Sequence, residues 1–214
     1  VATPVAGTLA SNYTISYTNG GISIGKAALV VTADNQTRIY GNANPTLTYT
    51  VTGYVNGEGA SVLTGAPSIS TTATNTSNVG NVTITAAANT LAASNYSLSY
   101  ANGTLSITPA ALSITGANAT ATYTGLAQTN SAASVSGLKN SDSFTISGYG
   151  VGTNASTTAY ADTLVATPVA GTLASNYTIS YTNGGITIGK ANATVTGNSA
   201  SVTYTGLAQS VSGY

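Results

Sequence analysis

Apolar and hydroxyl-bearing residues alternate along much of the chain, and one stretch shows the pattern in its simplest form. In "SNYTISYTNGGISIG", residues 11–25, Tyr13, Ile15 and Tyr17 fall on one side of an extended backbone, with Thr14, Ser16 and Thr18 on the other. That predicts a half-buried strand. Asn19-Gly20 follows, a pair that tolerates the positive φ angles of a two-residue turn, and Ile22 and Ile24 then resume the alternation. The whole stretch therefore predicts a β-hairpin. It is spelled three times: "SNYSLSYANGTLSIT" occupies residues 94–108 and "SNYTISYTNGGITIG" residues 175–189.

The copies define a period. Asn12 recurs as Asn95 and Asn176, spacings of 83 and 81 residues, and "TYTGLAQ" at 122–128 returns at 203–209, again 81 residues on. A unit of that length is one small β domain. The middle repeats more loosely: "VTGYVNGE" at 51–58 aligns with "VSGLKNSD" at 135–142, and "VSGY" at 211–214 starts the same element again. The expected organisation is the end of one module at 1–26, complete modules at 27–109 and 110–190, and the start of another at 191–214. Such a chain reads as an excerpt from a longer array.

Within 27–109 the pattern predicts strands near 29–32, 46–52, 68–73, 81–86, 96–100 and 104–108, with a short one near 61–63. Six or seven short strands in about 80 residues, punctuated by Gly, Asn and Pro, predict an antiparallel β-sandwich of immunoglobulin-like size. No segment carries a helical period. The joints "GKAAL", "TPAAL" and "GKANA" are short, so the modules are expected to form a semi-rigid rod.

Composition narrows the functions this fold could serve. Four Lys or Arg balance four Asp or Glu, and charged residues make up 4% of the chain against about 25% in an ordinary domain. Basic clusters for nucleic acid or an acidic membrane surface are absent. A 42% hydrophobic fraction with regular strands argues against disorder. No apolar run reaches the 18 or so residues of a membrane helix. With no Cys there are no disulfide staples.

The residues also carry a resemblance. "TADNQTRIYGNANPTLTYTVTGYVNGEGASVLTGAPSISTTA", followed by "NVTITAAANTLAASNYSLSYANGTLSITPA", closely resembles the MBG domain of the type named for its Tyr-Gly pair, here Tyr40-Gly41. Residues 110–190, with "ATYTGLAQT" and the same closing stretch, are similar to the related YDG-type module, although Tyr123-Thr124-Gly125 stands where that family has Tyr-Asp-Gly. The resemblance implies tandem modules of large secreted bacterial surface proteins, including filamentous-haemagglutinin-like exoproteins and other adhesins. It implies an extracellular structural array and no activity.

Catalysis finds little support in the residues. Without His or Cys the commonest general base, the thiol nucleophile and the usual metal ligands are missing, and a hydroxyl with no neighbouring base is a weak nucleophile. No enzyme, cofactor or metal site is expected. The acids Asp34, Glu58, Asp142 and Asp162 form no calcium-loop run. Glu58 and Asp142 do share a repeat position beside Asn56 and Asn140, and the favoured reading is a capped, exposed turn in preference to an ion site. Lys26 and Lys190 also share a position; an isopeptide crosslink would need them buried, and solvated joint lysines are the favoured reading. The row Tyr13, Tyr17, Tyr96, Tyr100, Tyr177 and Tyr181 could stack on a ligand, but is expected to build core with the hydroxyls at its wet edge. Sequons at Asn12, Asn35, Asn75, Asn81, Asn95, Asn102, Asn118, Asn154, Asn176 and Asn192 follow from composition alone.

Two functions compete. One is a stalk that gives reach and tensile strength, its partners being neighbouring modules of the same chain. The other is a filament or sheath subunit, in which near-zero charge and unguarded edge strands let identical chains pair laterally or by donation of residues 5–24.

Overall fold

The computed structural model describes residues 10–213. It is all β, with short 3-10 helices at Ala10–Asn12, Ala60–Val62 and Ala174–Asn176. The strands fall into two groups by pairing, and none of the first group pairs with any of the second.

The first group comprises β1 (Ala27–Ala33), β2 (Gln36–Ile39), β3 (Tyr49–Thr52), β4 (Ser68–Thr71), β5 (Gly80–Ala87), β6 (Tyr96–Ala101) and β7 (Gly103–Thr108). They form two sheets, ordered β3-β1-β6 and β2-β7-β5-β4. In β1, Leu29, Val31 and Ala33 point inward to full burial while Ala28 and Val30 point out. Ile84, Ala86, Leu105 and Ile107 are buried on the other sheet's strands and share one core cluster with Ala33. Each fully buried aliphatic side chain of this kind contributes about 1.5–3 kcal/mol.

The second group comprises β8 (Ala110–Gly116), β9 (Asn118–Thr122), β10 (Gln128–Thr129), β11 (Ala133–Ser136), β12 (Phe144–Ser147), β13 (Val151–Gly152), β14 (Tyr160–Ala161), β15 (Val165–Pro168), β16 (Tyr177–Thr182) and β17 (Gly185–Gly189). Its main sheets are β11-β8-β16 and β14-β17-β9, with β10-β13 and β12-β15 as two-stranded pieces. Leu112, Ile114, Ile186 and Ile188 fill its interior.

The sandwich class holds, but the repeated hairpin does not. β6 pairs with β1 and β7 with β2 and β5; β6 and β7 are not partners. Asn102-Gly103 is a corner at which one long strand leaves the first sheet and enters the second. Neither residue adopts a positive φ. The opening strand bends likewise, so β1-β2 runs parallel to β6-β7 through both sheets with one offset of 69 residues, from Ala27↔Tyr96 to Ile39↔Thr108. In the second group β8-β9 and β16-β17 repeat the arrangement with an offset of 67. The sandwiches are thus mixed, with parallel first and last strands, rather than purely antiparallel.

Residues 13–26 and 190–213 repeat strand sequences yet carry no strand. Expectations that fall on residues 1–9, including part of the donated segment 5–24, lie outside the described residues.

Two other differences are local. Residues 60–62 form a helical turn where a short strand was expected near 61–63. Conversely β2 had no sequence signal, because its inward residue is Arg38, buried, and its apolar Ile39 faces out. Arg38 is satisfied by neutral oxygens: Nε donates to Asn44 Oδ1 at 2.8 Å, Nη1 to the Ile39 carbonyl and Nη2 to the Thr74 carbonyl. The loosely repeated "VTG" and "VSG" have a plain cause. Gly53 and Gly137 sit at φ +104 and +98, and a Cβ on either would lie 2.4 or 2.2 Å from the carbonyl oxygen of Ala28 or Ala111 in the adjoining strand.

Candidate functional site

The most elaborate side-chain constellation lies where the two sandwiches meet. β7 ends at Thr108 and β8 begins at Ala110, so Pro109 is the entire linker. One residue with a fixed φ leaves little freedom to hinge. The buried core runs on across this point, from Ala33, Tyr40 and Ala73 on one side to Ala110, Leu112 and Tyr177 on the other.

Tyr40 follows the last residue of β2, and its amide donates to the Thr108 carbonyl at 2.8 Å, which fixes the ring over the joint. The ring is 4% exposed. It packs edge-on against Tyr177 with centroids 5.6 Å apart and an interplanar angle of 78°, and Phe144 meets the same Tyr177 at 5.5 Å and 84°. Edge-to-face pairs of this kind add about 0.5–1.5 kcal/mol to the burial itself. Gly41, at φ +80, completes the fit: a Cβ there would sit 2.5 Å from Cβ of Lys139. The Tyr-Gly pair is therefore spent on the neighbouring sandwich.

Asp142 receives it. Residues 139–142 form a tight turn, closed by the Asp142 amide donating to the Lys139 carbonyl at 2.8 Å, with Asn140 and Ser141 both left-handed at φ +50 and +66. The turn aims the carboxylate at the joint. Its Oδ2 accepts the Tyr40 hydroxyl at 2.9 Å and the Tyr177 hydroxyl at 2.7 Å. The Tyr177 oxygen also accepts the Lys139 amide at 2.9 Å. Burial first, and then the bond to Asp142, push the Tyr177 hydroxyl up to about 12.

Asn176 works beside it. Fully buried, it accepts the Val79 amide at 2.9 Å and donates from Nδ2 to Asn78 Oδ1 at 3.0 Å, both in the first sandwich. Asn140 Nδ2 donates to the Asn75 carbonyl at 3.1 Å, and Lys139 Nζ reaches Asn42 Oδ1 at 3.5 Å. Among the described residues no buried side-chain nitrogen or oxygen is left without a partner.

The first sandwich carries the same turn at its far end. Asn56 and Gly57 are left-handed, the Glu58 amide closes the turn on Val55, and the Glu58 carboxylate accepts the Tyr96 hydroxyl, which itself accepts the Val55 amide at 3.2 Å. That bond raises the Tyr96 hydroxyl above its ordinary value. Here the acid has one tyrosine instead of two.

The predicted site residues sort as follows. Glu58 and Asp142 do end tight turns, exposed at Glu58 and half-buried at Asp142, but backbone bonds close the turns and the carboxylates accept tyrosine hydroxyls. Asp34 accepts the Thr50 hydroxyl at 2.7 Å, and buried Asp162 accepts the amides of Gly150 and Gly184 at 2.9 and 3.1 Å. Among the described residues no three His, Cys, Asp or Glu side chains gather to hold a metal. Lys26 and Lys190 are exposed. Of the tyrosine row, Tyr96 and Tyr177 are buried, Tyr100 packs at the core margin, and Tyr13, Tyr17 and Tyr181 are exposed. Asn176 is a sequon that no glycan could reach. Sequence reasoning missed the roles of Asn176 and Lys139, and took Tyr40 only as a landmark. The equal repeat positions of the two acids were the one available signal.

The family model described as the MBG domain of the YGX type matches residues 29–106, the span of the first sandwich, which is similar to that family. No curated protein and no solved structure matches the chain.

Proposed function

We propose that this chain is a structural repeat segment of a secreted bacterial surface protein, acting as an adhesin stalk or an extracellular fibre component and performing no catalysis. The joint carries this reading. A one-residue linker, a shared core and a carboxylate clamped by tyrosines from both sides couple two sandwiches end to end, which suits a load-bearing rod and has no evident use in a soluble enzyme. The MBG match supports the setting, because such domains are typical of extracellular surface proteins. No helix among the described residues is long and apolar enough to cross a membrane.

The mechanism is mechanical. Tension along the chain loads the parallel first and last strands of each sandwich together, while the joint limits bending between them. Small-angle scattering from the 214-residue chain tests it: a stiff two-sandwich particle is expected, and a broad spread of inter-sandwich distances would overturn the reading.

One observation favours the filament alternative. Ile22, Ile24 and Val195 are exposed, at 89%, 87% and 73%, although their repeat equivalents Ile186, Ile188 and Ile114 are buried strand residues. Strand donation between chains would cover them, and electron micrographs showing ordered filaments would favour that alternative.

A further inference from the structure

The second sandwich ends in a copy of the surface that the first uses at the joint. Tyr123 follows β9 as Tyr40 follows β2, and its amide donates to the Gly189 carbonyl at 2.8 Å, the equivalent of the bond from Tyr40 to Thr108. Gly125, one residue further from Tyr123 than Gly41 is from Tyr40, supplies a left-handed φ of +83 where Gly41 has +80. The difference is cover. Tyr40 is 4% exposed and Tyr123 43%. A Cβ on Gly41 would strike Lys139, whereas one on Gly125 would meet nothing nearer than the Tyr123 hydroxyl at 3.9 Å.

At the opposite end the acid turn of the first sandwich stands ready-made. Glu58 already accepts Tyr96, in the way that Asp142 accepts Tyr177. Asn95, at the position of the buried Asn176, is exposed. The two ends are thus the two halves of a joint that the chain displays, assembled, in its own middle.

We infer that the Tyr123 end of the second sandwich is a docking surface for an acid turn, and that a second copy of this chain, presenting Glu58, Tyr96 and Asn95, fits it head to tail. The inference rests on the reading of the central joint as the coupling element of an array. The contact is heterologous, so it propagates into an open row and does not close into a symmetric dimer. In the central joint the one-residue linker holds the faces at an effective concentration in the millimolar range or above. Between separate chains that help is lost, and association should emerge only at high protein concentration.

Sedimentation of the intact chain between roughly 10 µM and 1 mM tests this. The expected result is a concentration-dependent series of dimers and longer rows. Tyr123→Ala and Glu58→Ala should each weaken it at least tenfold, while a mixture of the two variants should form dimers and nothing longer, because each retains one working face. Tyr123 is exposed, so its variant remains informative even if Glu58→Ala loosens the first sandwich. A chain that stays monomeric throughout, or association indifferent to Tyr123→Ala, overturns the inference. So does association abolished by Ile24→Asp yet intact in Tyr123→Ala, which would identify strand exchange instead. A monomer that scatters as a stiff particle defeats only the docking; a flexible one defeats the rod itself.

Discussion

Replacing Tyr40 should weaken a sandwich to which it does not belong. Tyr40→Phe keeps the edge-on ring pair with Tyr177 and removes only the hydroxyl that Asp142 accepts at 2.9 Å. A hydrogen bond to a charged group contributes about 1.5–3 kcal/mol. Asp142 Oδ2 retains the Tyr177 hydroxyl at 2.7 Å, so the lower figure, about 1.5 kcal/mol, applies. Tyr40→Ala also removes a buried ring and leaves a cavity over Tyr177, a change that costs about 3–5 kcal/mol. Hydrogen exchange by mass spectrometry reads where that loss falls. With Tyr40→Ala, amides of β8 and β16 should lose protection although the substitution lies beyond β2. If faster exchange stayed within residues 27–108, Tyr40 would be an ordinary core residue of its own sandwich and the coupling argument would fail. A cycle with Asp142→Asn adds a check, since additivity within about 0.5 kcal/mol would mean that the two groups do not interact.

Three further outcomes follow from the same geometry. The Tyr177 hydroxyl, at about 12 when folded against an ordinary 10.0, contributes stability that is complete below about pH 10 and lost as pH rises toward 12; in tyrosinate absorbance, part of the late-titrating signal should therefore move earlier in Asp142→Asn. Gly41→Ala should destabilise the chain by at least about 1–2 kcal/mol in urea unfolding, because the new side chain meets both a left-handed backbone and the Lys139 stem. Ser141→Gly should stabilise by about 0.5–1 kcal/mol, since Ser141 holds φ +66 where the matching residue of the first sandwich is Gly57; an unchanged melting temperature would contradict this.

Period-2 alternation was enough to locate most strands of the first sandwich, because Leu29, Ile84, Leu105 and Ile107 each follow polar or small neighbours. It failed at β2, where a guanidinium satisfied by carbonyls takes the inward place of an aliphatic residue. Pairing was less legible than position. Asn-Gly between two alternating runs is the ordinary mark of a hairpin, and nothing local separates it from a corner between sheets. What decides is a partner strand 69 residues earlier, a non-local fact. The joint was legible only as a coincidence of repeat positions, since the ligands of Asp142 come from points 102 and 35 residues distant.

That corner gives the near-identity of the repeated stretch a physical cause beyond duplication. In 175–189, Asn176 holds the preceding sandwich, Tyr177 binds the acid turn, and Ile179 packs at the core margin from the strand paired with β8. Asn183 Oδ1 then accepts the Leu164 amide at 3.3 Å, as Asn102 Oδ1 accepts the Ala86 amide at 3.1 Å, and a Cβ on either following glycine, Gly184 or Gly103, would lie 2.3 Å from a carbonyl oxygen of the opening strand. Few of these positions are free to drift. The two accounts of Asn102 separate on substitution. In a hairpin turn its side chain would be solvated and Asn102→Gly nearly neutral; at the corner, Asn102→Gly or Asn102→Ala leaves the Ala86 amide unpaired in a buried strand, at about 1–3 kcal/mol. Faster exchange at Ala86 with that loss of stability is expected, and a neutral Asn102→Gly would restore the hairpin.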